Sequence, residues 1–357
     1  MRHYSDFTPP RIELRYNFAS NLNPIGPPNW FFNKENNNLN KFMQYPELWH
    51  WECDRKIASI VNVDSKKLLT IPGSSQFISM LFLINNKKKL KCSFFSPTFW
   101  EYKLSAKLNN VDYFEFNLDA EKNDIPSESL IEFLELYKPD IFFVCTPNNP
   151  TGHVTTTIQL QQIMKLFPKI LLVLDLTYAY FLDEYDDYVE LTRNEENNII
   201  CITSYSKFFC LPGLRIASAI FSSQDTAKKY REYMGPLRIN SFSEYFLPKL
   251  LQDKEYIRET KLFFYSEWEW FENSMNKVKI DFLKSYVNTA CFRLFKVSSY
   301  INVEDFCKFL MNDHKIWICN GKVYDLVQFV RFRIGKRESN KKLLFALSQF
   351  SLINRKK

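Results

Sequence analysis

The chain has 357 residues, 46% hydrophobic and 17% aromatic, which exceeds the needs of one small module and fits a two-domain globular enzyme. Its formal charge of +7 comes from lysines and arginines spread among acids, as in Gln252-Asp253-Lys254-Glu255, so it reads as a solvated surface and no nucleic-acid partner is expected. The longest apolar stretches, residues 78–84 and 170–174, fall short of the roughly 20 residues that cross a bilayer, and no membrane span is expected.

Met1-Arg2-His3-Tyr4-Ser5-Asp6 carries neither an apolar run nor a small-residue cleavage site, so a cytoplasmic location is expected. Residues 76–83 have helical character. Short, almost continuous apolar runs then occur at 91–95, 140–145, 170–174 and 198–203, separated by stretches of helical period. Runs without strict alternation suit strands buried on both faces of a parallel sheet, so the middle of the chain reads as α/β. Each run ends in polar or turn-forming residues: Ser96-Pro97-Thr98, the segment Thr146-Pro147-Asn148-Asn149-Pro150, Asp175, and Ser204-Tyr205-Ser206-Lys207. Ligands of open parallel sheets bind beyond the carboxyl ends of the strands, so these four clusters are predicted to converge on one crevice.

From about Ser241 the pattern changes, and 244–277 reads as one long connecting helix. Beyond it, 281–297, 315–319 and 329–334 read as strands, and 302–312 and 338–350 as helices. The expected organisation is an N-terminal arm over 1–45, a large domain over 46–240, and the connecting helix with a smaller α+β domain over 241–357. Cys53, Cys92, Cys145, Cys201, Cys210, Cys291, Cys307 and Cys319 occur singly and read as buried thiols. His3, His50, His153 and His314 lack metal-ligand spacing, and no metal site is expected.

The strongest single signal is Ser204-Tyr205-Ser206-Lys207-Phe208-Phe209-Cys210-Leu211-Pro212-Gly213-Leu214-Arg215, where a strand end passes into a turn. A lysine there can be desolvated enough to act as an amine, forming an imine with an aldehyde and later moving protons. Hydroxyls before it and an arginine after it supply donors for a phosphate.

This segment resembles the cofactor-lysine motif of the class I/II aminotransferases, the fold-type-I pyridoxal-phosphate enzymes, and the likeness runs in order over nearly the whole chain. The nearest resemblance is to histidinol-phosphate aminotransferases and threonine-phosphate decarboxylases. It implies pyridoxal 5'-phosphate held by Lys207 as a Schiff base, with Ser204, Ser206 and Arg215 on the phosphate. Gly73-Ser74-Ser75 precedes the 76–83 helical run, so its N–H groups and hydroxyls could form a phosphate cup at a helix N-terminus. Ile71-Pro72 stands where the family usually has Gly-Asn, and Gln76 replaces the usual acid.

Pro97-Thr98-Phe99-Trp100-Glu101-Tyr102 is similar to the family segment whose first aromatic, here Phe99, stacks on the cofactor ring. Asn148-Asn149-Pro150-Thr151-Gly152 places Asn149, and Asp175-Leu176-Thr177-Tyr178 places Tyr178, where the family contacts the phenolic oxygen. Asp175 emerges from an apolar run and needs a partner, which the resemblance supplies as the pyridine nitrogen. The segment from Phe18 to Pro28 resembles one that lines the substrate side, which implies roles for Asn23 and Gly26. Tyr45-Pro46 resembles a Tyr-Pro whose phenol reaches the neighbouring subunit's cofactor, implying a homodimer with shared active sites. Val330-Arg331-Phe332-Arg333 resembles the strand bearing the substrate-carboxylate arginine, best matched to Arg331, with Arg333 on the same strand face.

The reaction implied is transamination of an amino acid or amino-acid-derived amine. Amino-acid decarboxylation from nearly the same residues is the alternative, and a degenerate cofactor-fold binding protein a further one.

Overall fold

The computed structural model describes residues 15–33, 42–85, 88–288 and 291–354; His3 and the rest of the first 14 residues lie outside it. The chain begins with β1 (Tyr16–Asn17), and the large-sheet half follows as α1 (Trp51–Ile60), β2 (Leu68–Ile71), α2 (Ser74–Ile84), β3 (Lys91–Ser96), α3 (Glu101–Leu108), β4 (Asp112–Asn117), α4 (Ser127–Tyr137), β5 (Ile141–Cys145), α5 (Thr157–Leu166), β6 (Leu171–Asp175), α6 (Tyr185–Glu190), β7 (Ile199–Ser204), β8 (Ala217–Phe221) and α7 (Gln224–Met234). Its seven strands lie in the order β2-β8-β7-β6-β5-β3-β4. All neighbours are parallel except β8, which is antiparallel to both β7 and β2. Consequently β2 runs the same way as β7, and the carboxyl ends of β2, β3, β5, β6 and β7 share one edge.

The four apolar runs are β3, β5, β6 and β7, and every residue of the last three is buried. Covered on both faces, a strand needs no polar alternation, which is why these runs are continuous. The strand β4 at the sheet edge instead mixes polar and aromatic residues, Asp-Tyr-Phe-Glu-Phe-Asn over Asp112–Asn117, while β8 is the small-residue sequence Ala-Ser-Ala-Ile-Phe.

The rest of the chain forms α8 (Ser241–Gln252), α9 (Lys254–Lys277), β9 (Leu283–Ser285), β10 (Phe292–Val297), α10 (Val303–His314), β11 (Ile316–Trp317), β12 (Cys319–Asn320), β13 (Phe329–Arg333) and α11 (Arg337–Asn354). The single helix expected over 244–277 is therefore two. Asp253 adopts φ −75°, ψ 75°, and its side chain accepts from the Tyr256 N–H at 3.0 Å, capping the second helix. It also accepts from Trp30 Nε1 at 2.6 Å, so a side chain used for capping and anchoring marks the break.

A four-stranded antiparallel sheet in the order β12-β13-β10-β9 forms the second layer. The N-terminal β1 joins this part of the chain by pairing in parallel with β11, Tyr16 opposite Ile316 and Asn17 opposite Trp317. One buried apolar cluster runs from Phe18 to Phe350 and embraces both sheets. The eight cysteines are all free; six are buried and Cys210 and Cys307 partly so. Among the described residues no group of side chains is arranged to hold a metal ion, and no helix is long and apolar enough to cross a membrane.

Buried Asp54 of α1 fixes β2 beside the site. Its Oδ1 accepts from the Thr70 N–H and hydroxyl, both at 2.8 Å, and its Oδ2 accepts from Arg231 and Arg238. A carboxylate so placed would be costly alone but is paired on every side.

Candidate active site

A cleft of about 520 Å³ opens at the carboxyl edge of the large sheet, between it and β13. At its floor β6, flanked by β5 and β7, ends in Asp175, which is 4% exposed. Oδ1 accepts from the Thr177 N–H at 3.1 Å and its hydroxyl at 2.6 Å, while Oδ2 accepts from the Tyr102 hydroxyl at 2.9 Å. Burial pushes the Asp175 carboxyl above the usual range, opposed by these hydrogen bonds. A carboxylate held in this way is prepared for a cationic partner.

At one end of the cleft the chain leaves β2, turns at Gly73 and enters α2 through Ser74 and Ser75. Gly73 has φ +88°, and a Cβ there would lie 2.5 Å from Arg215 Nη2, so glycine both permits the turn and admits the guanidinium. Ser204 and Ser206 Oγ stand 2.8 Å apart. A helix N-terminus, hydroxyls and a guanidinium make a cradle for a dianion.

Between cradle and floor lies Lys207, in the turn after β7. The Asn23 N–H donates to its carbonyl at 2.9 Å, and among the described residues its amine has no hydrogen-bond partner. Burial, and then repulsion from Arg331 and Arg215, holds the amine below the usual lysine range. Tyr178, 6% exposed, accepts from Asn21 Nδ2 at 2.9 Å. Opposite, Arg331 is 4% exposed; it donates to Tyr324 Oη at 2.8 Å, to the Ala19 carbonyl at 2.7 Å, and to Asn149 Oδ1. Arg331 Nε and Asn21 Oδ1 are buried without partners within the described protein.

The cleft thus brings together Ser74, Ser75, Phe99, Asn149, Tyr178, Ser204, Ser206, Lys207, Arg215 and Arg331, with Gly73 and Asp175 directly behind. It does not include Asn23 or Gly26. Asn23 is 1% exposed, and its Nδ2 is placed against the Phe208 carbonyl and Tyr256 Oη at 2.9 Å and Thr260 Oγ1 at 3.2 Å, so it anchors the N-terminal segment to α9. The Gly26 carbonyl accepts from the Tyr256 hydroxyl. Asn21, two residues earlier, is the side chain that reaches the cleft. Arg333 spends its guanidinium on the Asn17 and Ile334 carbonyls, at 2.8 and 2.7 Å, and burial pushes it down to about 10. Tyr45 is 86% exposed and lies outside the cleft.

Sequence reasoning gave no role to Tyr102, Asn21, Trp317, Cys319 or Tyr324. Tyr102 stood in the motif that nominated Phe99; its position one helical turn on, against Phe99 at 5.8 Å between ring centroids, was the available signal.

The model of the family described as aminotransferase class I and II matches residues 16–347. A histidinol-phosphate aminotransferase of Caldicellulosiruptor saccharolyticus is 26% identical over 346 residues, 95% of this chain and 92% of that protein. A protein of Caldanaerobacter subterraneus subsp. tengcongensis, provisionally named threonine-phosphate decarboxylase, is 27% identical over 334 residues, 92% of this chain and 88% of its own. Among solved structures, the histidinol-phosphate aminotransferase of Clostridium acetobutylicum superposes with a TM-score of 0.85 at 25% identity, covering 94% of this chain and 98% of that one.

Proposed function

Since the chain belongs to the aminotransferase class I and II family, we propose that its cleft binds pyridoxal 5'-phosphate and transfers the amino group of an amino acid or amino-acid-derived amine. The observation that carries this reading is the desolvated amine of Lys207 between an anion cradle and a buried carboxylate. Gly73, Ser74, Ser75, Ser204, Ser206 and Arg215 would hold the cofactor phosphate, Asn149 and Tyr178 its phenolic oxygen, Asp175 its ring nitrogen, and Phe99 would face the ring. When bound, the cofactor supplies an aldehyde for the substrate amine and a ring that withdraws electrons from the substrate α-carbon.

The chain's own residues do the rest. Asp175 would favour a protonated partner nitrogen, because burial disfavours its charge and a cation beside it would stabilise that charge. Arg331 orients a carboxylate by two-pronged donation, with Asn149 and Tyr324 already fixing the guanidinium plane. The depressed basicity of Lys207 leaves more of its Nζ unprotonated at neutral pH, ready to take a proton from the substrate α-carbon. Trp317 and Trp100 also line this cleft.

A homodimer with shared sites is part of the reading, supported by the individual exposure of the apolar side chains Tyr45, Met43, Phe32 and Leu48, 86%, 82%, 64% and 60% accessible. Free thiols throughout suit a reducing, cytoplasmic setting. The test is the absorption spectrum of the purified protein with pyridoxal phosphate, beside Lys207→Ala, followed by product analysis with a panel of amino acids. A visible band reducible by borohydride only when Lys207 is present, together with keto-acid formation, is expected. Carbon dioxide as the product would move the assignment to decarboxylase, and no band in either protein would leave a non-catalytic binder.

A further inference from the structure

The end of the cleft beyond Arg331 has a wall of its own. Ala19, Cys319 and Tyr324 are buried together, with Trp317, Val323 and Leu326 packed on them, in an apolar cluster separate from the core that joins the two sheets. Local sequence explains the orientation: along Ile316-Trp317-Ile318-Cys319 the two isoleucines enter the main core, 1% and 3% exposed, and the alternate residues line the cleft. Cys319 pairs with Arg331 in register across β12 and β13, and Arg331 donates to the Ala19 carbonyl, so the wall adjoins the guanidinium.

The charges of the cleft point the same way. Among the described residues that line it the cations are Lys207, Arg215 and Arg331. With Lys207 and Arg215 engaged by the cofactor, Arg331 is left for one anion, the substrate carboxylate. A phosphate ester on the substrate would add a second and stronger anion, which loses water on entry and needs donors of its own. What it would meet among the described residues at this end is the indole of Trp317, the thiol of Cys319 and the methyl of Ala19, with only the neutral polar groups of Ser20, Asn21 and Tyr324 and no cation beyond Arg331.

We infer that the amino donor is an α-amino acid with an uncharged, apolar side chain seated against Trp317 and Cys319, with its carboxylate on Arg331, and not a phosphorylated amine of the kind named for the relatives. The inference rests on the aminotransferase reading of the same cleft, and its test separates the two. The holoenzyme is titrated calorimetrically with two carboxylates that have no amino group and cannot react, 3-phenylpropionate and 3-phosphonopropionate. Phenylpropionate is expected to bind about tenfold more tightly, an advantage that Trp317→Ala removes and Trp317→Phe largely keeps. Tighter binding of the phosphonate, or equal phenylpropionate affinity in Trp317→Ala and the native enzyme, overturns the inference. If phenylpropionate binds as expected but no amino acid yields keto acid, the aminotransferase reading fails and the apolar seat stands. If phosphorylated amines alone are converted to their ketones and no apolar amino acid yields keto acid, the reverse holds.

Discussion

The two ends of the cleft are built in different ways. At the cofactor end, Gly73, Phe99, Asn149, Asp175 and Lys207 each lie within a few residues of the carboxyl terminus of a large-sheet strand. A parallel sheet delivers such residues to one edge whatever the rest of the chain does. At the substrate end, Arg331 meets Ala19 across 312 residues of sequence, through the docking of β1 on β11 and the pairing of β12 with β13. The first arrangement follows from strand order; the second exists only after distant segments have packed. Substitutions should therefore separate chemistry from assembly according to which end they touch.

The largest expected effect lies at the cofactor end. Asp175→Asn keeps size and can still accept from Thr177 through Oδ1, with its Nδ2 facing a Tyr102 hydroxyl able to turn and accept, so the fold is expected to survive while the charge that holds a cationic nitrogen is gone. We expect kcat to fall roughly a hundred- to ten-thousandfold, with the melting temperature little changed. Steady-state keto-acid formation and thermal melting check this together; a kcat near that of the native enzyme would remove Asp175 from the chemistry.

Asn23→Ala sharpens the contrast from the other side. The side chain holds the N-terminal segment through buried contacts with Phe208, Tyr256 and Thr260, and its Oδ1 accepts from the Ile25 N–H at 3.0 Å. Loss of this set should cost about 2–3 kcal/mol of stability, since several buried hydrogen bonds go at once, even though the Tyr256 hydroxyl and the Phe208 carbonyl keep another partner. Urea denaturation measures the loss. The KM for the amino donor should change by less than about threefold, given that Asn23 does not reach the cleft; a large rise in KM with unchanged stability would return it to the substrate side.

The same division separates what is legible in the sequence from what is not. The strands β3, β5, β6 and β7 are visible there because double burial makes them continuous apolar runs, and their polar ends mark the crevice. The edge strand β4 and the small-residue β8 lack that signature. Arg331 and Arg333 are inseparable by strand alternation; packing decides between them, because Asn17 and Ile334 offer carbonyls to Arg333 while Tyr324 and Asn149 draw Arg331 to the cleft. Asn23 and Asn21 likewise differ only in which element each meets, and the course of α9 under Asn23 is not written in the local sequence. Trp317 and Cys319 form no motif, since an Ile-Trp-Ile-Cys alternation looks the same whether its outer face meets water or a substrate.

The smallest effect concerns the hydrogen bond from Tyr102, a residue that sequence reasoning passed over. Tyr102 is wholly buried, stacked on Phe143 at 5.0 Å, and its hydroxyl gives Asp175 the donor that favours the charged carboxylate. Burial nevertheless raises Asp175 above its unfolded value, so in the cofactor-free protein the folded state holds this proton more tightly than the unfolded state does. Stability from this group is then fully present below the unfolded pKa, near 3.8, and is lost as pH rises through the raised folded value. Tyr102→Phe removes a donor to the carboxylate and moves the folded value further up, extending that loss over a wider window. Expressed as unfolding free energy, the additional loss between acid and neutral pH should be roughly 1 kcal/mol. Urea midpoints of the cofactor-free native and Tyr102→Phe proteins, compared across that interval, should diverge as pH increases. Parallel curves would mean that Asp175 draws its charge stabilisation from Thr177 alone.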